Sequence, residues 1–333
     1  MKTTIIAEIG VNHNGSIKKA LALILQAKKA GADVAKFQLF QASSLVTKNA
    51  PKAKYQKTYK NDNQKQFDLI KKLELSYKDF FKIKNFCKTK KIEFMVSVFD
   101  EYSLNFLKKL KLKIIKIPSG EITNYPLLQK IGKLKKEIIL STGMSNYIEI
   151  SEAIKILVTN GTKKNKITVL QCNTSYPTPL ADVNLSIMNE IKKKFKVKIG
   201  FSDHTNGIEI PIAAVALGAK VIEKHFTLNK NDAGPDHRAS LEPQKFEEMV
   251  HLIKNVELAL GNKIKKITKS EISNLLVCRK SIVAKRKIQK GEKFSENNLT
   301  TKRPAKGMSP MKWKNIIGKK SKKIFKKDDY IKI

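Results

Sequence analysis

TTIIAEIGVNHNGSIKKALALILQAKKAGADVAKFQ, residues 3–38, contains one complete strand-helix-strand unit. Its first run, TTIIAEI (3–9), is β-branched and apolar, the composition of a buried strand. From Ser16 to Ala30 apolar residues recur at helical spacing with lysines on the opposite face. Ser16 stands where a cap belongs and Gly31 follows the last turn. DVAKFQ (33–38) then returns to strand composition. Two strands joined through a helix run parallel. Outward from this unit the alternation recurs in IEFMVSV (92–98), KIIKI (113–117), EIILS (137–141), ITVLQC (167–172), VKIGFS (197–202) and KVIEKHF (220–226). Further helical stretches lie at 101–110, 146–159 and 243–260. Eight parallel strands with intervening helices predict an α/β fold, the TIM (β/α)8 barrel.

Residues 42–64 fit neither period and read as an extended loop between the second and third strands, long enough to serve the site. After Gly261 the polar, lysine-rich NKIKKITKSE gives way to short strand-like pieces, SIVAK, KIQKGEKF and DDYIKI, separated by turns. The expected organisation is a barrel over 1–261, a linker over 262–277 and a small β-rich domain over 278–333. A chain of 333 residues with 41% hydrophobic and 29% charged residues buries a real core and is neither disordered nor collagen-like.

Lys+Arg 67 against Asp+Glu 29 gives a net charge of +38, which raises nucleic acid or an anionic surface as a partner. Only Arg238, Arg279, Arg286 and Arg303 are arginine, so 67 − 4 = 63 of the bases are lysine. Groove readers use the planar fork of arginine, whereas these lysines spread over nearly every helix, so solvated faces are the favoured reading and no specific nucleic acid is expected. Cys87, Cys172 and Cys278 are odd in number and lack CxxC spacing, which fits a reducing compartment. Glu8 interrupts any signal-peptide core and no apolar run reaches the length of a membrane span, so a soluble cytoplasmic protein with no membrane partner is expected. GxGxxG after the first strand, GxxxxGK[ST], HExxH and GxSxG are all missing, leaving nucleotide cofactors and serine hydrolysis without support.

In a (β/α)8 barrel the site forms where the strands end. The polar residues there are, in order, Glu8 with Asn12 and His13, Lys36 with Gln38, Ser97 with Asp100, Lys116 with Ser119 and Glu121, Ser141 with Thr142, Thr174 with Tyr176, Ser202 with Asp203 and His204, and His225. A strand lysine usually faces outward. Two of them inside apolar strands, Lys36 and Lys116, suggest a phosphate or carboxylate ligand that compensates their burial. A histidine alone is more often a hydrogen-bonded core or surface residue than a ligand. His204 and His225, though, end neighbouring strands, the geometry of a two-histidine metal site completed by water and substrate oxygens. Both readings stay open on spacing alone. Cys172 reads as a small buried residue rather than a nucleophile.

AEIGVNHNG (7–15), KFQ (36–38), KIPSGEITNYPLL (116–128), LSTGM (140–144), YPTP (176–179), GFSDHT (200–205), AVALGA (214–219), EKHFTL (223–228) and GPDHRASLEP (234–243) together resemble the bacterial sialic acid synthases over most of residues 5–245. The tail SIVAKRKIQKGEKFSENNLTTKRPAKGMS (281–309) is similar to the antifreeze-like (SAF) domain that completes that family. The resemblance implies a metal-dependent condensation of phosphoenolpyruvate with an N-acetylated hexosamine, giving a nine-carbon 2-keto acid and inorganic phosphate. It implies His204 and His225 as ligands of a divalent metal, Mn2+ or else Mg2+ or Co2+. Lys36, Ser97, Lys116, Ser119 and Ser202 match positions that grip phosphoenolpyruvate, and Thr174 stands where the family usually has Asn. Glu8, Gln38, Glu121, Tyr176 and Asp236 match residues around the aldehyde and the sugar hydroxyls, with Glu8 or Glu121 handling protons. Arg303 matches an arginine that one subunit places over the sugar site of its partner, which implies a domain-swapped homodimer.

The chain departs from the neuraminate-making members. Lys36-Phe37-Gln38-Leu39-Phe40 stands where they read KHQTH, and Val96-Ser97-Val98-Phe99 where they read STPF. KAKYQ (52–56), GEITN and GPDHRASLEP look closer to the branch making N,N'-diacetyllegionaminate from 2,4-diacetamido-2,4,6-trideoxymannose. Phe and Leu in place of His and Thr would suit a 6-deoxy sugar. N-acetylneuraminate synthesis from N-acetylmannosamine is the alternative within the family; a lysine-rich binder of nucleic acid or an anionic surface is the alternative outside it.

Overall fold

A computed structural model describes residues 2–53, 56 and 65–332. Eight parallel strands close into a barrel in sequence order: β1 (Thr4–Gly10), β2 (Val34–Leu39), β3 (Glu93–Val98), β4 (Ile114–Ile117), β5 (Glu137–Ser141), β6 (Ile167–Cys172), β7 (Lys198–Asp203) and β8 (Val221–His225). Each was legible as a short apolar run because a strand covered on both faces has little room for polar residues. Alternation sorts the side chains. Ala7, Ile9, Ala35, Phe37, Leu39, Val96 and Val98 face the helical layer and form its core. Ile6, Val34, Met95, Ile139, Leu170 and Val221 form a separate apolar plug inside the barrel. Two residues further along β1, β2 and β8 come Glu8, Lys36 and Glu223, so the plug is the floor on which the polar layer stands.

The helices begin where the sequence places caps. Ser16 accepts from the Lys19 amide ahead of the helix Ile17–Lys29, and Asn146 and Glu149 form a reciprocal capping box for Tyr147–Thr159. Pro243 opens the helix Pro243–Leu260 at a position where its missing N–H costs nothing. Asp100, considered above among the strand-end polar residues, is instead the cap of Glu101–Leu110: its carboxylate accepts from the Ser103 amide at 2.8 Å and from the Ser103 hydroxyl at 2.6 Å. The Asn12 amide is likewise taken up by structure, donating to the Phe226 carbonyl and the Ser240 hydroxyl, both at 2.9 Å, while its Oδ1 is buried without a partner among the described residues.

Two expectations need correction. The region 42–64 is not wholly extended: Ala42–Leu45 is a short helix, and the helix Gln66–Leu73 follows. Residues 54–55 and 57–64, including part of KAKYQ, lie outside the described residues. The stretch 262–277 contains more than a linker, for a helical turn at Lys269–Glu271 leads into the helix Ile272–Cys278. The chain divides into two compact units, the first ending at Gly261 and the second spanning Asn262–Ile333. In the second unit β9 (Ser281–Ala284) pairs antiparallel with β10 (Leu299–Lys302) over a core that includes Ile282, Ile288, Phe294, Ile316, Phe325 and Ile331. Among the described residues no helix is long and apolar enough to cross a membrane.

Candidate active site

At the C-terminal ends of the strands the barrel opens into a cavity of about 460 Å³. Register brings the polar layer together. Glu8 is paired with Lys36 across β1 and β2 and with His225 across β1 and β8; Gln38 is paired with Ser97, Ser97 with Lys116, and Ser202 with Glu223. Gly10 interrupts the β1–β2 register with φ +55°, and a Cβ there would stand 3.2 Å from Gln38 Nε2 and 3.3 Å from Glu8 Oε1. A side chain at that bulge would crowd the carboxylate it now leaves room for.

Both strand lysines point inward. Lys36, only 2% exposed, lies 2.7 Å from Glu8 Oε2, donates to Ser97 Oγ at 2.8 Å and stands 3.6 Å from Glu223 Oε2. Lys116 Nζ has Glu223 Oε1 at 3.4 Å. Ser202 also donates to Glu223 Oε1, at 3.0 Å, and Gln38 Nε2 donates to Glu8 Oε1 at 3.2 Å. Electrostatics separates these groups. Burial drives Glu8 toward the protonated form more strongly than Lys36 restrains it. Burial acts on Glu223 as well, yet Lys116 and Lys36 together overcome it and hold the carboxyl at about 2. Burial lowers Lys116, which has one carboxylate beside it, whereas Glu223 and Glu8 together outweigh burial and raise Lys36.

Glu223 is the residue that sequence reading missed. Strand alternation was the available signal, since Glu223 lies two residues before His225 in β8 and must share its face.

The rings of His204 and His225 lie 5.4 Å apart, and Tyr176 stacks on His204 at 4.1 Å. His204 Nδ1 faces the Asn173 carbonyl, which can only accept, so Nδ1 carries the proton and Nε2 the lone pair. His225 Nδ1 is buried and has no hydrogen-bond partner among the described residues; Asp236 Oδ2 is 3.8 Å away. Burial lowers both histidines, His204 to about 4, so both rings are neutral at pH 7. Burial, with help from the Glu8 charge, raises Asp236 to about 7. A satisfied core histidine would not leave Nδ1 orphaned, and two neutral imidazoles beside a carboxyl are a donor set that suits a divalent metal. Among the described residues no third ligand is preassembled with them.

Ser97, Ser119, Thr174, Tyr176, Ser202 and Asp236 also line the cavity. Ser119 Oγ accepts from the Gly143 amide at 3.0 Å and meets Cys172 Sγ at 3.2 Å. One candidate of the first unit, Glu121, is not brought to the lining. Glu121 is half-buried, its carboxylate held by Asn124 Nδ2 at 2.6 Å. Burial raises it, and Asn124 opposes the shift. Arg303 belongs to the second unit, where it is exposed after β10. The apolar substitutions divide as well. Phe37 and Leu39 are buried toward the helical layer, so of that trio only Phe40 reaches the cavity, where Phe99, Leu45, Val46, Leu69 and Ile70 join it in an apolar wall.

Residues 23–265 match the NeuB family and residues 279–333 the SAF domain. The chain belongs to the NeuB family. It is 52% identical to the N,N'-diacetyllegionaminic acid synthase of Campylobacter jejuni, with 99% of each chain covered. Against the synthase of the same name from Legionella pneumophila it is 41% identical over 96% of this chain and 90% of that one. The crystal structure of an N-acetylneuraminic acid synthetase from Leptospira borgpetersenii superposes with a TM-score of 0.73 at 33% identity, covering 83% of this chain and 90% of that one. The chain is thus a condensing transferase of the NeuB type, a sialic acid synthase in the broad sense, with a barrel and a SAF domain.

Proposed function

We propose that this NeuB-family enzyme condenses phosphoenolpyruvate with 2,4-diacetamido-2,4,6-trideoxymannose to give N,N'-diacetyllegionaminate and inorganic phosphate. The observation that carries this reading is the two-sided cavity: Lys36, Lys116, Glu8 and Glu223 at its base and an apolar wall centred on Phe40 and Phe99 beside them. The lysines suit an anionic three-carbon substrate. The wall suits a sugar that ends in methyl rather than hydroxymethyl.

Carbon 3 of phosphoenolpyruvate attacks the open-chain aldehyde, water adds at carbon 2, and the tetrahedral adduct loses phosphate by C–O cleavage. Lys36, Lys116, Ser97, Ser119 and Ser202 grip phosphate and carboxylate, with Thr174 beside them. Glu8, raised by burial and hydrogen-bonded by Gln38, is placed to exchange a proton with the aldehyde oxygen. Glu121 takes second place in that role because Asn124 holds it. Tyr176, Gln38 and Asp236 orient the sugar. His204 Nε2 and His225 would hold a divalent metal, Mn2+ before Mg2+ or Co2+, whose chemistry when bound is to polarise an aldehyde oxygen.

Phosphate release with manganese, run with both sugars and with chelator controls, tests this reading. A preference of at least ten-fold for the trideoxy sugar over N-acetylmannosamine is the expected outcome, since a single methyl or hydroxyl difference in a fitted pocket is worth roughly 10- to 200-fold. Preference for N-acetylmannosamine would assign the enzyme to neuraminate synthesis instead.

The working form is proposed to be a cytoplasmic homodimer in which Arg303 of one subunit serves the sugar site of the other. The helix Ile272–Cys278 supports association: it buries no residue, leaving Leu276 57% and Val277 65% exposed. Such apolar exposure is an interaction surface in a soluble protein. Leu276→Asp with Val277→Asp is expected to shift the mass seen by light scattering from dimer to monomer, whereas Arg303→Ala leaves the dimer intact and impairs turnover. An unchanged mass in the double aspartate variant would rule this helix out as the contact.

A further inference from the structure

Two carboxamides stand in the apolar wall of the cavity. Gln66 is the first residue of the helix Gln66–Leu73, and Gln56 comes from the segment before it. Gln56 Oε1 accepts from the Ala53 amide at 3.0 Å and from Gln66 Nε2 at 3.2 Å. A backbone N–H can only donate, so the Gln56 atom facing it is the oxygen, and both of its lone pairs are taken. The orientation of the pair follows. Gln56 keeps both N–H groups, and Gln66 keeps its carbonyl oxygen with one N–H; among the described residues no partner takes these up. The other described residues lining the cavity from this stretch, Leu45, Val46, Ala53, Leu69, Ile70 and Leu73, are all apolar.

A neutral donor beside a neutral acceptor, set in hydrocarbon, selects among substrate groups. A phosphate or carboxylate would be desolvated here without a countercharge. A hydroxyl leaves the hydrocarbon without a partner. An acylamino group satisfies both demands: its N–H meets the Gln66 oxygen, its carbonyl meets the Gln56 amide, and its methyl covers Leu69 or Ile70.

We infer that the Gln56–Gln66 pair, with the apolar wall around it, is the subsite for a second acylamino group on the sugar, the one on carbon 4. This subsite rests on the diacetamido reading above and adds to it the residues that recognise the second amide. It also gives the insertion between β2 and β3 a task in choosing the sugar, separate from the strand-end residues that hold phosphoenolpyruvate.

The test compares wild type with Gln66→Met, and with Gln66→Glu as a second variant. Two sugars are used: 2,4-diacetamido-2,4,6-trideoxymannose and its counterpart with hydroxyl in place of the 4-acetamido group. Loss of one side of the pair strands a polar group of the ligand and is expected to raise KM for the diacetamido sugar about ten-fold. The KM for the 4-hydroxy sugar and for phosphoenolpyruvate stays within two-fold or so, which also reports that the variant is folded. A wild-type selectivity for the 4-acetamido group that persists in both variants overturns the subsite and leaves the substrate reading standing. A wild type with no such selectivity overturns the substrate reading itself, and the subsite with it.

Discussion

Lys36→Met is expected to weaken phosphoenolpyruvate binding and, in the same protein, to lower the stability of the metal-free fold by about 3–5 kcal/mol. Lys116→Met is expected to reproduce the first effect with much less of the second. The asymmetry follows from the partners. Lys36 holds Glu8 at 2.7 Å and Glu223 at 3.6 Å and donates to Ser97, so its removal leaves two carboxyls facing each other in the barrel. Among the described residues Lys116 pairs only with Glu223, at 3.4 Å, and its own charge is opposed by burial. When Lys116 is gone, Glu223 still has Lys36 and the Ser202 hydroxyl. Glu8 softens the Lys36 loss, because burial already favours its protonated form and it can take up a proton instead of remaining charged.

For the proposed anionic substrate the two lysines are expected to be more nearly equal. Truncating one partner of a buried, hydrogen-bonded charge pair costs about 2–5 kcal/mol. At ~1.4 kcal/mol per decade that is a factor of roughly 30 to several thousand in KM for phosphoenolpyruvate. Urea unfolding without metal measures the first quantity, and steady-state kinetics with manganese the second. Equal stability losses in the two variants would show that Glu8 and Lys36 are not partners in solution.

The fold was legible because its determinants are local. A strand buried on both faces must be an apolar run, a helix between a sheet and water must carry a stripe, and caps mark the joins, so Ser16, Asn146 and Pro243 could be read directly. The placement of Glu8, Lys36, Ser97, Ser202 and His225 was legible for a related reason, since a closed barrel leaves the strand ends nowhere to go but one cavity. The misreadings share a cause too. Composition makes Phe37 a pocket residue, whereas alternation between the inward Lys36 and Gln38 turns it outward. Glu223 does not end its run, and only alternation from His225 reveals that it faces the cavity. Glu121 sits in a turn after β4, where a local bond to Asn124 decides its direction and no strand period applies. The wall formed by Gln66, Leu69 and Ile70 had no signal of its own, because an amphipathic helix does not reveal in sequence whether its covered face meets a core or a cavity.

Lys224→Met is expected to be as costly as Lys36→Met, about 3–5 kcal/mol, although Lys224 touches no substrate position. Between the inward Glu223 and His225, Lys224 must point away from the cavity, and there it meets Asp203 at 2.5 Å with both side chains fully buried. Its ammonium also donates to the Thr205 carbonyl at 2.5 Å, and Asp203 accepts from the Thr205 amide at 2.9 Å and hydroxyl at 3.1 Å. Burial lowers Lys224 and Asp203 opposes that shift, so the pair stands by mutual compensation. Methionine fills the volume but leaves the buried Asp203 carboxyl without its ammonium and, among the described residues, bonded only to Thr205. Lys224→Met with Asp203→Asn removes both charges, keeps the Thr205 amide bond and leaves the Thr205 hydroxyl to accept from the new carboxamide, and is expected to recover more than half of the loss, because replacing a whole buried pair is far cheaper than breaking one. Turnover should follow the same order. Asp203 precedes His204 and Lys224 precedes His225, so loss of this pair is expected to disturb the two rings, which lie 5.4 Å apart. A single variant that unfolds at the wild-type midpoint would show that the pair carries no net stabilisation; a double variant no more active than the single would show that it is the charge at Lys224, rather than an unpaired Asp203, that the histidines require.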